Sequence, residues 1–175
     1  MKFNFECEDL DGLVIMDKAY IDELDDETLY DFDICLDRKG KSELIYDFPN
    51  EKWEDVYSRA FHSIERFCAD GKMILFLLDE NSYDCNIDIV NESFVTDSFL
   101  DIKSGNVLVV SAGELIQCAG ELIQCAAYKE LDMETILELS NIKKGKYAIK
   151  KNDISNIVLS SVNTTPTSVH NIVCF

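Results

Sequence analysis

The stretch from Pro49 to Asp79 constrains the fold more than any other part of the chain. Trp53, Val56, Tyr57, Ala60, Phe61, Ile64 and Phe67 recur at three- and four-residue spacing, which puts them on one face of a helix. Pro49 pushes Phe48 away from the helical region, and Asn50 is the expected N-cap. Glu51, Glu54 and Asp55 suit the positive end of the helix dipole and Arg66 the negative end. Asp55 and Arg59 are four apart, a spacing worth a few tenths of a kcal/mol. Gly71 is placed to end the helix in a left-handed conformation. Met73-Ile74-Leu75-Phe76-Leu77-Leu78 then runs apolar without alternation, as a strand covered on both faces does. A helix that needs one apolar partner, joined to a strand that needs two, requires the rest of the chain to form layers around them.

The rest of the chain offers strands. Lys2 to Glu6 alternates, Asp9-Leu10-Asp11-Gly12 reads as a turn, and Leu13 to Met16 is a short apolar strand. Tyr30, Phe32, Ile34 and Leu36 alternate with Asp31, Asp33 and Asp37, predicting a strand. Arg38-Lys39-Gly40-Lys41 would turn it back into Glu43 to Phe48 as a hairpin. After a loop over Glu80 to Asp84, Cys85, Ile87 and Ile89 predict a half-buried strand. Two more hairpins are expected, Phe99 to Ile102 with Val107 to Val110, and Leu137 to Ile142 with Tyr147 to Lys151. Ile157 to Val162 and Val169 to Cys174 close the chain. The expected class is α+β, one globular domain over 1–175, with a mostly antiparallel sheet of about ten strands packed on one long amphipathic helix. At 175 residues such a domain buries about 70% of its unfolded surface.

A tandem copy breaks this pattern. Gly113-Glu114-Leu115-Ile116-Gln117-Cys118-Ala119 repeats as Gly120-Glu121-Leu122-Ile123-Gln124-Cys125-Ala126. Seven extra residues in a strand would flip every later side chain to the other face. In a helix they make nearly two turns, with a drift of only about 20°. A second, short helix over 114–128 is therefore expected, with Gly120 costing it about 1 kcal/mol. A fainter echo pairs Gly12-Leu13-Val14-Ile15-Met16 with Gly105-Asn106-Val107-Leu108-Val109. It reads either as two related half-sheets, 1–48 and 99–151, or as coincidence.

The net charge of −18 repels phosphates and anionic lipid, which argues against nucleic acid and membrane as partners, and it attracts basic protein. No apolar run reaches the 18 or so residues needed to span a bilayer, and no signal-peptide pattern opens the chain. The seven cysteines, several inside apolar runs and none in C-x-x-C spacing, fit free thiols in a reducing cytoplasm. Gly40-Lys41-Ser42 ends like a P-loop, but Cys35 stands where that loop needs glycine. Asp9-Leu10-Asp11-Gly12 fails as a calcium loop, because Cys7 and Lys18 occupy ligand positions. His62, expected half-buried on the edge of the helical stripe, and His170 are the only histidines. With no H-E-x-x-H and no G-x-S-x-G, no catalytic residue, metal site or cofactor is assigned.

What remains is the acidic segment. Residues 1–60 hold 18 Asp and Glu against 7 Lys and Arg, while Lys143, Lys144, Lys146, Lys150 and Lys151 make a far hairpin basic. The candidate partner-binding residues are Asp17, Asp22, Glu23, Asp25, Asp26, Glu27, Asp31 and Asp33, which would steer, and Tyr20 and Tyr30, which would anchor. The plainer reading is a solvated face that protects an edge strand. In size, charge and the acidic run from Asp22 to Asp33, the chain resembles bacterial immunity proteins, the cognate inhibitors of secreted nuclease-type and other toxin domains. That resemblance implies a one-to-one complex with a basic toxin domain. A structural or regulatory interaction module and an enzyme of unrecognised type are the alternatives.

Overall fold

The computed structural model describes residues 2–92, 94, 96–116, 136–153 and 156–174. The architecture is α+β. A long strand β1 (Lys2–Asp17) leads into a 3₁₀ helix (Lys18–Glu23), helix α1 (Asp26–Leu36) and a second 3₁₀ helix (Glu43–Asp47). Helix α2 (Trp53–Cys68) and the long strand β2 (Met73–Val90) follow. Then come β3 (Phe99–Ile102), β4 (Val107–Ser111), β5 (Ile136–Leu139), β6 (Gly145–Asp153), β7 (Asn156–Val162) and β8 (Ile172–Cys174).

β1 and β2 form an antiparallel ribbon over nearly their whole lengths, with register shifts between Cys7 and Leu10 and between Leu10 and Gly12. Around Gly12 to Met16 the ribbon gains β4 and β5 on one side, while β8 runs parallel to Leu75–Leu77 on the other. Beyond the shifts, β7 runs parallel to Ile87–Val90, followed by β6 and β3. The parallel pairings β2–β7 and β2–β8 make the sheet mixed. Side chains from both halves meet in one apolar core. Leu13, Ile15, Ile74, Phe76 and Val109 come from the first half, and Ile87, Leu100, Ile149 and Leu159 from the second.

The opposite face of the first half carries Val14, Met16, Met73, Leu75, Leu77, Leu108 and Val110, and the helices pack on it. This is why Met73 to Leu78 is apolar at every position. Val56, Ala60, Ile64 and Cys68 of α2 are buried there with Phe32, Ile34 and Cys35 of α1. Burying a side chain such as Val56 or Ile64 is worth about 1.5–3 kcal/mol. Gly71, at φ +76°, follows α2, and its N–H donates to the Cys68 carbonyl at 3.0 Å.

Several expectations fail. Tyr30 to Leu36 lies in a helix, because Asp25 caps it and Leu29, Phe32, Cys35 and Leu36 form a helical stripe against α2. The amphipathic helix α2 is therefore not alone. Its N-cap position is Lys52, not Asn50, and no side chain caps it. Glu43 to Phe48 is not a hairpin strand. Instead the Asp37 carboxylate accepts from the N–H groups of Lys41 and Ser42, at 2.8 and 2.9 Å, and winds the chain into the second 3₁₀ helix. Asp9–Gly12 is a bulged part of β1, not a turn, and Glu80–Asp84 belongs to β2. Neither later hairpin forms. β3 pairs with β6 while β4 pairs with β1 and β5, because Asp17 and Lys18 hold the connection between β3 and β4. The described residues hold eight strands where about ten were expected. Residues 112–116 are helical, with Leu115 buried and Ser111 Oγ accepting from the Glu114 N–H at 3.2 Å. The rest of the predicted helix over 114–128, with most of the tandem copy, lies outside the described residues. Cys35, Cys68 and Cys85 are buried free thiols, and Cys174 is a free, exposed one. No helix among the described residues is long and apolar enough to cross a membrane.

Candidate functional site

The acidic segment becomes two short helices and α1. Asp25 sits in extended conformation at the N-cap of α1, and its carboxylate accepts from the Thr28 N–H at 2.8 Å. Bonds from the Thr28 side chain and backbone hold its carboxyl below the usual range. Asp26 and Glu27 follow in the first turn, where the dipole favours them. With Phe32, Ile34 and Cys35 turned inward, Asp25, Asp26, Glu27 and Tyr30 are left on the open face.

The second 3₁₀ helix lies against that face. Tyr30 donates its hydroxyl to Asp47 at 2.7 Å, and that bond is the main reason the phenol is pushed up to about 12. The Tyr30 ring lies 6.3 Å from Phe48, and Phe48 lies 6.4 Å from Trp53 in an edge contact. Trp53 Nε1 donates to the Asp37 carbonyl at 2.9 Å. The Asp37 carboxylate also accepts from Ser42 Oγ at 2.6 Å. Three helices are thus tied together beneath the face. Gly40, at φ +60°, lets the loop pass so close to Trp53 that a Cβ would stand 2.8 Å from the ring.

The ten candidate residues divide sharply. Asp22, Asp25, Asp26 and Glu27 are exposed and make no ion pair with a described residue, and Tyr30 is 39% exposed at their centre. Glu23 is exposed but pairs with Lys72 at 2.6 Å. Asp31 and Asp33 are half-buried. Two assignments are wrong. Asp17 is fully buried, where its carboxylate accepts from the Ala19 N–H at 2.8 Å and from both the N–H and the hydroxyl of Ser104. Tyr20 is 2% exposed, donates to Asp101 at 2.8 Å and lies under Lys103. Both hold β1 and the first 3₁₀ helix against the chain around β3, and neither is exposed.

Sequence reasoning missed Glu43, Ile45, Tyr46 and Asp47. Ile45 and Tyr46 are 38% and 79% exposed, on a 3₁₀ helix none of whose residues is buried. The available signal was Ser42, whose hydroxyl accepts from the Leu44 N–H at 3.3 Å, a serine opening an acidic turn.

His62 is exposed rather than half-buried, 3.4 Å from Glu65, and His170 is exposed beside the Ser168 hydroxyl at 3.0 Å. Among the described residues no three His, Cys, Asp or Glu side chains converge as metal ligands.

Two carboxylates under the face respond oppositely to acid. Burial, and then Asp37, push the Asp33 carboxyl up. At Asp37 burial also pushes upward, but bonds from Ser42, Lys41 and Gly40 outweigh it and hold the carboxyl low. Asp37 therefore stabilises the fold fully above its ordinary value near ~3.9 and loses that contribution as pH falls through its lower folded value. Asp33 has the other sign, and the fold gains as pH falls through its raised value. Asp37→Asn is expected to cost about 1 kcal/mol at neutral pH and to converge on the parent in acid. Asp33→Asn should be neutral or stabilising at neutral pH. Urea midpoints across pH check both, and parallel pH profiles for the variants and the parent would refute the assignment.

Comparisons with family models, with curated proteins and with solved structures return no match for this chain.

Proposed function

We propose that this chain is an acidic binding protein that captures and inhibits a basic protein partner. In its most specific form, it is an immunity protein of the bacterial cytoplasm that neutralises a cognate nuclease-type toxin domain. The observation that carries this reading is the face from Asp22 through Tyr30 to Asp47. There, exposed carboxylates, of which Asp22, Asp25, Asp26 and Glu27 make no ion pair with a described residue, stand beside exposed aromatic side chains. A nuclease domain must present lysine and arginine to phosphate, so an acidic face competes for the same groups. Inhibition is by occlusion, with no turnover. The net charge of −18 adds long-range attraction, which raises encounter rates by about 10- to 1,000-fold at low salt.

Co-expression with the product of the adjacent gene tests the specific form. Restored growth and co-purification in one-to-one ratio are the expected result. A neighbour that is harmless alone and is not retained sinks the toxin-inhibitor form.

The steering claim has its own check. Asp22, Asp26 and Glu27 are exposed, and their side chains accept no hydrogen bond from a described residue. The variant Asp22→Asn, Asp26→Asn, Glu27→Gln should therefore fold as the parent does and melt slightly below it, by the roughly 0.3–1 kcal/mol that each first-turn charge of α1 contributes. Its association rate with the basic partner should fall about tenfold at low salt, with dissociation little changed. Raising salt should close the gap, since the screening length is ~8 Å at physiological ionic strength. Association as fast as the parent's at low salt would mean that these carboxylates do not steer.

A further inference from the structure

We infer that the energetic centre of this face is the second 3₁₀ helix, and that it receives an arginine-bearing segment of the basic partner. The inference rests on the binding reading above and goes beyond it by naming the receiving residues and the side chain they take.

Among the described residues, the large apolar side chains left exposed are Tyr30, Ile45 and Tyr46. Exposed apolar residues scattered singly need no explanation, but these gather at one place. Tyr30 reaches from α1 to Asp47, the residue after Tyr46. Carboxylates border the spot on both elements, Asp26 and Glu27 one turn before Tyr30, and Glu43 and Asp47 on the 3₁₀ helix. An apolar centre with a charged border is the plan of a protein-binding patch, and the sign of the border selects a basic partner.

The geometry selects arginine over lysine. In a 3₁₀ helix, residues three apart eclipse, so Glu43 and Tyr46 lie one above the other. A carboxylate beside an aromatic ring matches a guanidinium, which stacks through its plane and pairs through its N–H fork. An ammonium answers the charge but offers neither plane nor fork. Ile45, exposed on the same short helix, adds apolar area to the patch. The platform is fixed before binding by the Tyr30–Asp47 bond, the Asp37–Ser42 bonds and the Phe48–Trp53 contact, so little ordering is left for the complex to impose. A second copy of the chain fits poorly, because it would press two acidic borders together.

The test uses the full chain and two synthetic peptides of equal length and charge, one of arginine and leucine and the other of lysine and leucine. Trp53, the only tryptophan, touches Phe48 beneath the patch and reports occupancy by its emission; calorimetry gives an independent affinity. At physiological salt the arginine peptide should bind about tenfold more tightly than the lysine peptide, and Tyr46→Ala should abolish that preference. Glu43→Gln should reduce it, and Glu54→Gln, on the exposed side of α2, should leave it unchanged. Tyr46 is 79% exposed and belongs to neither apolar cluster of the described residues, so Tyr46→Ala folds. Equal affinities unaffected by Tyr46→Ala, yet weakened by the Asp22, Asp26 and Glu27 substitutions, would overturn the anchor and leave the steering face standing. Failure of both peptides to bind even at low salt would remove the basic-partner reading with it. A dimer in sedimentation that Tyr46→Ala dissolves would make the occupant a second copy and overturn the arginine assignment.

Discussion

Replacing Asn171 with alanine is expected to lower the unfolding free energy by about 3 kcal/mol, more than any substitution on the exposed face. Asn171 is 2% exposed. The two hydrogens of its Nδ2 are shared among the carbonyls of Cys68 at 3.2 Å, Met73 at 3.0 Å and Phe99 at 2.9 Å, and its Oδ1 accepts from the Phe99 N–H at 3.2 Å. Its own backbone carbonyl accepts from the Leu75 N–H at 2.9 Å. One side chain thus joins the end of α2, the start of β2 and the start of β3. Alanine leaves the Phe99 N–H without that acceptor and takes a donor from three carbonyls, of which Cys68 keeps the Gly71 N–H; each buried group left unsatisfied costs about 1–3 kcal/mol. Asn171→Asp keeps the acceptor but aims a carboxylate at three carbonyl oxygens. It should be at least as damaging at neutral pH and be partly relieved in acid, where the protonated carboxyl can donate. Urea unfolding of both variants measures this. Losses below about 1 kcal/mol in both would mean that these groups find other partners and that Asn171 is not the staple.

The parts of the fold legible in the sequence were those whose signal is local and single-valued. Val56, Ala60 and Ile64 fit only a helical period, and Met73 to Leu78 fits only a segment covered on both sides. Tyr30 to Leu36 carried two periods at once. Tyr30, Phe32, Ile34 and Leu36 alternate as a strand does, while Leu29, Phe32, Cys35 and Leu36 repeat as a helix does. The Asp25 cap and the packing against α2 decide between them, and packing is not visible in one sequence. Strand pairing was less legible still. The turn at Lys103 to Asn106 has hairpin composition, yet Ser104 bonds Asp17 and the Asn106 carbonyl accepts from the Lys18 N–H. Those contacts, far apart in sequence, send β3 and β4 to different neighbours.

The candidate site shows the same limit. Charge is visible in a sequence, but coordination is not. Asp26 and Glu27 were legible as surface because nothing local could use them, whereas Asp17 and Tyr20 looked alike in the sequence and proved internal. Tyr46 was missed for the converse reason. Its exposure follows from the Asp37 carboxylate winding the chain into a 3₁₀ helix, a turn that Glu43 to Phe48 does not announce.

Asp17→Ala should separate stability from binding more cleanly than any other change. Asp17 is fully buried and accepts from the Ala19 N–H, as the cap of the first 3₁₀ helix, and from the Ser104 N–H and hydroxyl. Loss of the cap costs about 1 kcal/mol, and stranding the Ser104 N–H a further 1–3 kcal/mol or so. The variant is expected to lose about 3 kcal/mol of stability while its folded fraction binds the basic partner with the parent's rate constants. Asp17→Asn keeps one acceptor oxygen, and its amide can donate to the Ser104 hydroxyl, so it should lose about half as much. Asp26→Asn should do the reverse, slowing association while costing only the roughly 0.3–1 kcal/mol of a first-turn charge. Both quantities come from one preparation, by denaturant titration and stopped-flow association. If Asp17→Ala slowed association as much as Asp26→Asn while stability held, Asp17 would belong to the contact surface after all. The burial of Asp17 argues for the stability role: its carboxylate already holds Ala19 and Ser104 inside the fold.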